Sequence, residues 1–385
     1  MRAGQAYDPG ERRDTPLSRK LKEQIAHRGP ITVGEYIRQC LYDPEHGYYV
    51  HRPAIGRDGD FITSPEISQI FGELIGLWAV VVWQQMGAPK AFNLIEYGPG
   101  RGTLMRDALR AARLAPAFLQ AVQVQLIETS STLMTEQRET LREAPVTPIW
   151  NSGARSEHDC CDVPAIVVGN EFIDTQPVQQ FVRSDAGWLM RTVGIDAQGR
   201  MDFVVPGLEK PTTLRDRDRI LGEAAKGAIA ELRDSFVDAM FERPARGTQS
   251  FAALFLDYGH MAPQAAPSNS GDTLQAVRGH RYESIFASPG EADLTTQVNF
   301  SSVAREASGA GLAVDGPIIQ AEFLGSLGIM ERASRLMAAN PAKAAEIEMG
   351  VARLMSPTGM GSRFKAIGLR SQKLPPLPGF PVVDK

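Results

Sequence analysis

The sequence predicts an α/β protein organised around a doubly wound, mostly parallel sheet. Three observations predict it. Short apolar runs recur from residue 92 onward, most are followed by apolar residues at helical spacing, and the first strand-to-helix junction, NLIEYGPGRGTL at 93–104, carries three alternate glycines. Runs of this length suit strands covered on both faces, as those of a parallel sheet are.

Along the chain, a first segment to about residue 90 reads as helical at 18–27, 33–41 and 67–86. Residues 42–66 are rich in Gly, Pro, Asp and aromatics, with Tyr48, Tyr49 and Phe61, and read as an ordered loop able to act as a lid over a ligand. Ser64-Pro65-Glu66 suits a helix start, since serine caps N-termini and proline tolerates the first helical position; direct contact with the ligand is the alternative. Core strands are expected at 92–97, 122–127, 146–150, 165–169, 252–257, 311–320 and 364–370, inside a core of 91–372. Two insertions interrupt it. Residues 178–248 contain alternating segments at 180–193 and a long helical pattern at 219–241, while 321–361 is helical and broken at Pro341. Residues 373–385 are left as a C-terminal tail.

Composition bounds the function. With 385 residues, 43% hydrophobic and 22% charged, the chain can bury a large core. A net charge of -4 and a pI near 6.0 disfavour a nucleic-acid binder that relies on a basic surface. No apolar run reaches the roughly 18 residues of a membrane span, and the stretch at 74–82 contains Gly76 and Trp78 in a helical pattern. The N-terminus, MRAGQAYDPGERRD, is arginine-rich but carries Asp8, Glu11 and Asp14, which transit peptides avoid, so a bacterial-type cytoplasmic location is expected. Cys40, Cys160 and Cys161 cannot build a disulfide framework, the adjacent pair lacks zinc-ligand spacing, and the six histidines are scattered. No metal is expected, and neither G-x-S-x-G nor a P-loop string occurs.

The glycine turn reads G-x-G-x-G at Gly98, Gly100 and Gly102, and not the G-x-G-x-x-G of a dinucleotide fingerprint. Glycine permits backbone angles closed to other residues and lets a ligand approach the main chain, and the following helix offers unpaired N–H groups. Glu96, two residues before the first glycine, would repel a diphosphate and attract a cationic amino acid. S-adenosyl-L-methionine meets that requirement as cofactor. Glu128, at the end of the next strand, could accept both ribose hydroxyls. A structural glycine turn with two solvated acids, or a nicotinamide site, is the competing reading.

The chain also resembles a known family, the MidA-type class I S-adenosyl-L-methionine-dependent methyltransferases linked to assembly of respiratory complex I. The strings that carry the resemblance are ITVGEYIRQCLYDPEHGYY at 31–49, GRDGDFITSPEISQIFGE at 56–73, EYGPGRGTL at 96–104, GNEFIDTQPVQQF at 169–181, LDYGH at 256–260, LQAVRGHRY at 274–282 and PGEADLTTQVNF at 289–300. The resemblance implies a Rossmann-like, seven-stranded class I methyltransferase core whose final strand runs antiparallel. In eukaryotic relatives it implies a protein arginine methyltransferase acting on a complex I subunit.

GNEFIDTQP follows the fourth strand, where ligands of open α/β sheets bind, so Asn170, Glu171 and Asp174 are expected to face the transferring methyl. An arginine guanidinium stays protonated in water, yet must direct a nitrogen lone pair at the methyl; paired carboxylates can hold its fork and localise charge on the nitrogen that does not react. Glu171 and Asp174 are the expected pair, with a helix-capping role as the plain alternative. Asn170 could hydrogen-bond substrate or the cofactor's amino group. His280, beside Arg278, Arg281 and Tyr282, could accept a proton, though a structural role is equally open. The expectation is a methyltransferase of protein arginine. The alternatives are methylation of another side chain or of a small molecule, which predicts a deep closed pocket, and a non-catalytic cofactor-binding assembly factor.

Overall fold

The computed structural model describes residues 11–51, 62–152, 163–205, 221, 224–233, 249–261 and 272–382. The expectations placed on the first ten residues, on Phe61, on Cys160 and Cys161, and on most of the helical pattern at 219–241 lie outside the described residues.

Among the described residues, five helices precede the core. α1 (Pro16–Arg28) starts at Thr15, whose side chain accepts from the Ser18 N–H, and buries Leu17, Leu21 and Ile25 from one face. β1 (Ile31–Thr32) leads into α2 (Val33–Tyr42), where Thr32 and Glu35 form a capping box. α3 (Tyr48–His51) lies within the expected loop, and α4 (Ser64–Ile67) is split from α5 (Gln69–Gln85) because Ser68 is extended and caps the second helix itself. The helix expected at 67–86 is α5, which starts two residues later because Ile67 ends α4.

Next come β2 (Phe92–Tyr97), α6 (Thr103–Ala111), α7 (Pro116–Ala121), β3 (Val122–Ile127), α8 (Ser131–Thr140), β4 (Ile149–Asn151) and β5 (Ala165–Asn170). The first insertion forms β6 (Val178–Ser184), β7 (Gly187–Ile195), β8 (Met201–Val204) and β9 (Ile229–Arg233). β9 replaces part of the helix expected at 219–241. It pairs with the otherwise open edge of β6 and buries Ala230, so a long-range ladder overrides local helical spacing.

β10 (Phe251–His260) returns to the core, followed by β11 (Gln275–Arg278), β12 (Arg281–Glu283), β13 (Asp293–Thr295), β14 (Val298–Asn299), α9 (Phe300–Gly309) and β15 (Ala313–Ile319). The second insertion is helical as expected: α10 (Gln320–Ser326), α11 (Ile329–Ala339), α12 (Ala344–Met355) and α13 (Met360–Arg363). β16 (Phe364–Arg370) closes the sheet.

The central sheet runs β15-β16-β10-β5-β2-β3-β4, with β14 added beside β10. Every pairing from β10 to β4 is parallel, and β16 is antiparallel to both its neighbours. This is the Rossmann-like seven-stranded arrangement, antiparallel final strand included. Alternate residues feed opposite cores: Leu94, Val124, Ile166 and Leu254 meet α5 residues such as Phe71 and Trp78, while Ile95, Val167 and Phe255 meet Phe300 and Val303. A second sheet, β1-β7-β6-β9 with β8 on β7, packs with α1 and α2 around Tyr36, Val178 and Val193.

Residues 373–382 are not a loose tail. Leu374, Leu377 and Phe380 are buried in the main core, and the Trp78 indole donates to the Pro378 carbonyl at 3.1 Å.

Candidate active site

Strand order reverses between β2 and β5: the chain leaves β2 towards β3 and β4, then returns to β5 and β10 on the other side. Ligands of open α/β sheets bind outside the carboxyl ends of the strands at that point. Glu96 lies at the end of β2 with the glycine turn after it, and Asn170 ends β5 with Glu171 after it.

Gly98, Gly100 and Gly102 have φ of 60°, 55° and 79°, left-handed geometry that side-chain-bearing residues adopt only at a cost. The turn is pinned from behind by Gln137 of α8. Its buried amide donates to the Gly100 carbonyl (2.7 Å) and to Glu128 Oε2 (3.1 Å), and accepts from the Trp150 indole (2.9 Å). Nothing in local spacing marked Gln137, because its partners come from three separate elements. Glu128 Oε1 accepts from the N–H groups of Thr129 and Ser130, both at 2.8 Å. Burial raises the Glu128 carboxyl and these bonds oppose the rise. Three of its roughly four acceptor positions are thus taken within the chain.

A small cavity of about 40 Å³, room for a few water-sized groups, lies against Glu96, Gly98, Gly100, Asn170 and Glu171. Gly102 and Glu128 do not line it; Gly102 starts α6 instead. Glu96 is buried, its Oε2 has no hydrogen-bond partner, and burial pushes its carboxyl up to about 8. Asn170 Oδ1 is likewise unpartnered. Two buried acceptors without donors, beside a turn whose backbone can be closely approached, fit the ammonium end of an amino-acid cofactor.

Glu66 completes this corner: it accepts from the Thr103 hydroxyl, and Arg101 reaches it at 3.4 Å and Glu136 at 2.6 Å. Ser64 is not the cap that its sequence suggested. Thr63 occupies that position without a side-chain cap bond, and the Ser64 N–H donates to Glu171 Oε1 at 2.9 Å. The turn at 63–66 therefore ties the N-terminal helices to the site.

Glu171 has φ of 50°, unusual for a residue with a side chain; its N–H is held by the Leu256 carbonyl at 2.8 Å. Asn170 Nδ2 donates to its Oε1 at 3.1 Å, and burial raises its carboxyl. Glu171 and Thr63 line both the small cavity and a larger one of about 270 Å³. The larger one is acidic, with Asp174 and Asp293 in its wall.

Asp174 is buried, its Oδ1 is unpartnered, and desolvation together with the charges of Asp257, Asp293 and Glu171 holds its carboxyl well above the usual range. Asp257 behind it accepts from the N–H groups of Ile173 (2.8 Å), Asp174 (3.1 Å) and Tyr258 (2.8 Å), and burial pushes its carboxyl up to about 7. Asp293 accepts from the Tyr49 hydroxyl at 3.0 Å. The Arg233 guanidinium spends its hydrogen bonds on the Ile173 carbonyl (3.0 Å) and the Thr296 hydroxyl (2.6 Å), fixing the loop and not a carboxylate. Sequence reasoning missed Arg233 and Asp293, which reach the site through long-range pairing.

His280 is a correction. It sits exposed at φ 61° in the turn between β11 and β12 and lines neither cavity, so the structure does not bring it to the carboxylates. A two-residue turn carries its side chain outward, whereas Tyr282 two positions on lines the larger cavity.

Residues 74–318 match a family model described as "Putative S-adenosyl-L-methionine-dependent methyltransferase". The chain is 36% identical over 381 residues to Protein arginine methyltransferase NDUFAF7, mitochondrial, of Mus musculus, covering 92% of this chain and 84% of the relative. The Homo sapiens protein of the same name is 35% identical over 392 residues, covering 94% and 85%. A crystal structure from Burkholderia thailandensis bound to S-adenosyl-homocysteine superposes with a TM-score of 0.83 at 26% identity, covering 96% of this chain and 95% of that one. One expectation is overturned: the cytoplasmic location inferred from the N-terminus gives way to curated relatives that are mitochondrial by name. Among the described residues no helix is long and apolar enough to cross a membrane.

Proposed function

The chain belongs to this family of S-adenosyl-L-methionine-dependent methyltransferases, and from that premise we propose that its methyl acceptor is an arginine side chain of a protein partner. The observation that carries the proposal is Glu171, which lines both cavities and so stands between the cofactor end of the site and an acidic chamber. A guanidinium is a planar cation with five N–H donors and no acceptor, the complement of Glu171 and the unpartnered Asp174 Oδ1. The arginine methyltransferase names of the curated relatives support the same reading, and the resemblance to the MidA-type family favours a respiratory complex I-type subunit as partner.

On this reading Glu96 and Asn170 hold the cofactor's ammonium, Gly98 and Gly100 let its amino-acid end approach the backbone, Gly102 lets α6 begin, and Glu128 keeps one acceptor position for a ribose hydroxyl. When bound, the cofactor supplies an electrophilic methyl on a sulfonium. Glu171 and Asp174 grip the guanidinium and draw positive charge to the nitrogens they touch, so that the remaining nitrogen can turn its lone pair to the methyl. Burial raises the proton affinity of Asp174, so once the incoming guanidinium has displaced the proton it holds in the free site, the carboxylate is suited to take up the one the acceptor loses. Tyr49 and Thr63 bring residues of the first 90 to the acceptor chamber, which supports a covering role for that segment over the 91–372 core.

The chamber opens at a rim where Tyr282 is 65% exposed, which favours a protruding side chain of a protein over a small molecule enclosed at depth. Radiolabelled methyl transfer to purified complex I-type subunits tests the proposal. Label on arginine, lost with Glu171→Gln while S-adenosyl-homocysteine still binds, is the expected result. Label found only on other side chains or on small molecules, or none with any acceptor, overturns it.

A further inference from the structure

We infer that the acceptor arginine is flanked by acidic residues, and that Arg353 and Arg363 read them. The inference rests on the arginine reading of the same site and goes on to its selectivity. Arg353 lies in the last turn of α12 and Arg363 ends α13, and both line the chamber whose wall holds Glu171, Asp174 and Asp293. Both are exposed. Neither guanidinium forms an ion pair or donates a hydrogen bond among the described residues, in contrast to Arg101, Arg110 and Arg332, each of which is paired with a carboxylate. The positive charge of Arg353 acts on the Glu171 carboxyl against the rise that burial causes.

The backbone that carries Arg363 is held from below. The Arg363 N–H donates to the Gly359 carbonyl at 3.0 Å, and its own carbonyl accepts from Lys365 Nζ at 3.1 Å. Lys365 is 7% exposed and divides its donors among Ser362, Arg363 and Gly259 of β10, so α13 is fastened to the sheet by a buried cation. α13 also folds back on the end of α12 so tightly that a Cβ on Gly361 would stand 2.4 Å from the Met355 carbonyl oxygen. The chamber thus presents a charge gradient, with buried carboxyls at its floor and exposed arginines at its mouth. A cation flanked by anions satisfies it at both levels. A cation flanked by lysines meets like charge at the mouth.

The test uses two synthetic peptides with one central arginine, identical except for aspartates or lysines on either side of it. For the unmodified enzyme, kcat/KM for the aspartate peptide should exceed that for the lysine peptide by about fivefold or more, the scale of two exposed ion pairs, and the ratio should shrink as salt is added. Arg353→Glu/Arg363→Glu should invert the preference while S-adenosyl-homocysteine affinity, read by calorimetry, stays unchanged and so reports an intact fold. Equal rates on the two peptides, or a preference the double variant leaves in place, overturns the inference while the arginine reading stands. Methyl transfer to neither peptide, with the cofactor product still bound, removes both.

Discussion

Glu96 titrates where few carboxyls do, and that sets a measurable behaviour. Burial lifts it from 4.5 to about 8, so at neutral pH the free site holds a proton that a cationic ligand must expel. Affinity for S-adenosyl-homocysteine should therefore rise from pH 6 to pH 8, by up to about tenfold per unit, with proton release seen as a buffer-dependent heat. Glu96→Gln should bind more weakly and show neither dependence; a flat profile in the unmodified protein would count against the pairing of Glu96 with an ammonium. Glu171 offers a second test. Its left-handed backbone costs about 1–2 kcal/mol that glycine would not incur. Glu171→Gly should melt no lower than the parent while losing methyl transfer, a combination a purely structural acid would not give. The glycines and Glu96 were legible because their meaning lies in spacing along one turn. Gln137, Arg233 and Asp293 were not, since each acquires its partners only when distant strands meet.

The elements follow the same division. β2, β3 and β16 have the expected bounds because a run of apolar residues between turns carries its own signal. β9 was read as part of a helix because its strand character comes from β6, whose Val178 to Val182 pair with Arg233 to Ile229 across a long stretch of chain with no local hint of the pairing. Nor did the pattern reveal how α5 seats α6. A Cβ at Gly76 would stand 2.4 Å from the Ala108 carbonyl oxygen, and one at Gly72 would stand 2.8 Å from Asp107 Cβ, so two small residues one turn apart bring the helices into backbone contact. α6 begins at the last glycine of the cofactor turn. Gly76→Val should cost about 1–3 kcal/mol in denaturant unfolding and also weaken S-adenosyl-homocysteine binding by displacing α6; lost stability with unchanged binding would show that the turn is held by Gln137 alone.

For the molecule as a whole, buried acids without matching cations set the pH range of stability. Glu96 moves from 4.5 unfolded to about 8 folded, and Asp257 from 3.8 to about 7. A raised carboxyl contributes stability that is complete below its unfolded value and lost as pH rises through its folded one. The melting temperature should thus fall between about pH 4 and pH 8, and Glu96→Gln should flatten the upper part of that decline. A midpoint that rises over this range would mean these carboxyls are already ionised in the free protein. The topology has a further consequence. β16 is inserted between β10 and β15, and Leu374, Leu377 and Phe380 fill the core beneath α5. During synthesis, then, β10 must wait with one edge bare and β15 without a partner until residues 364–370 have left the ribosome, so the central sheet cannot be completed piecemeal and those edges stay open to wrong pairing until then.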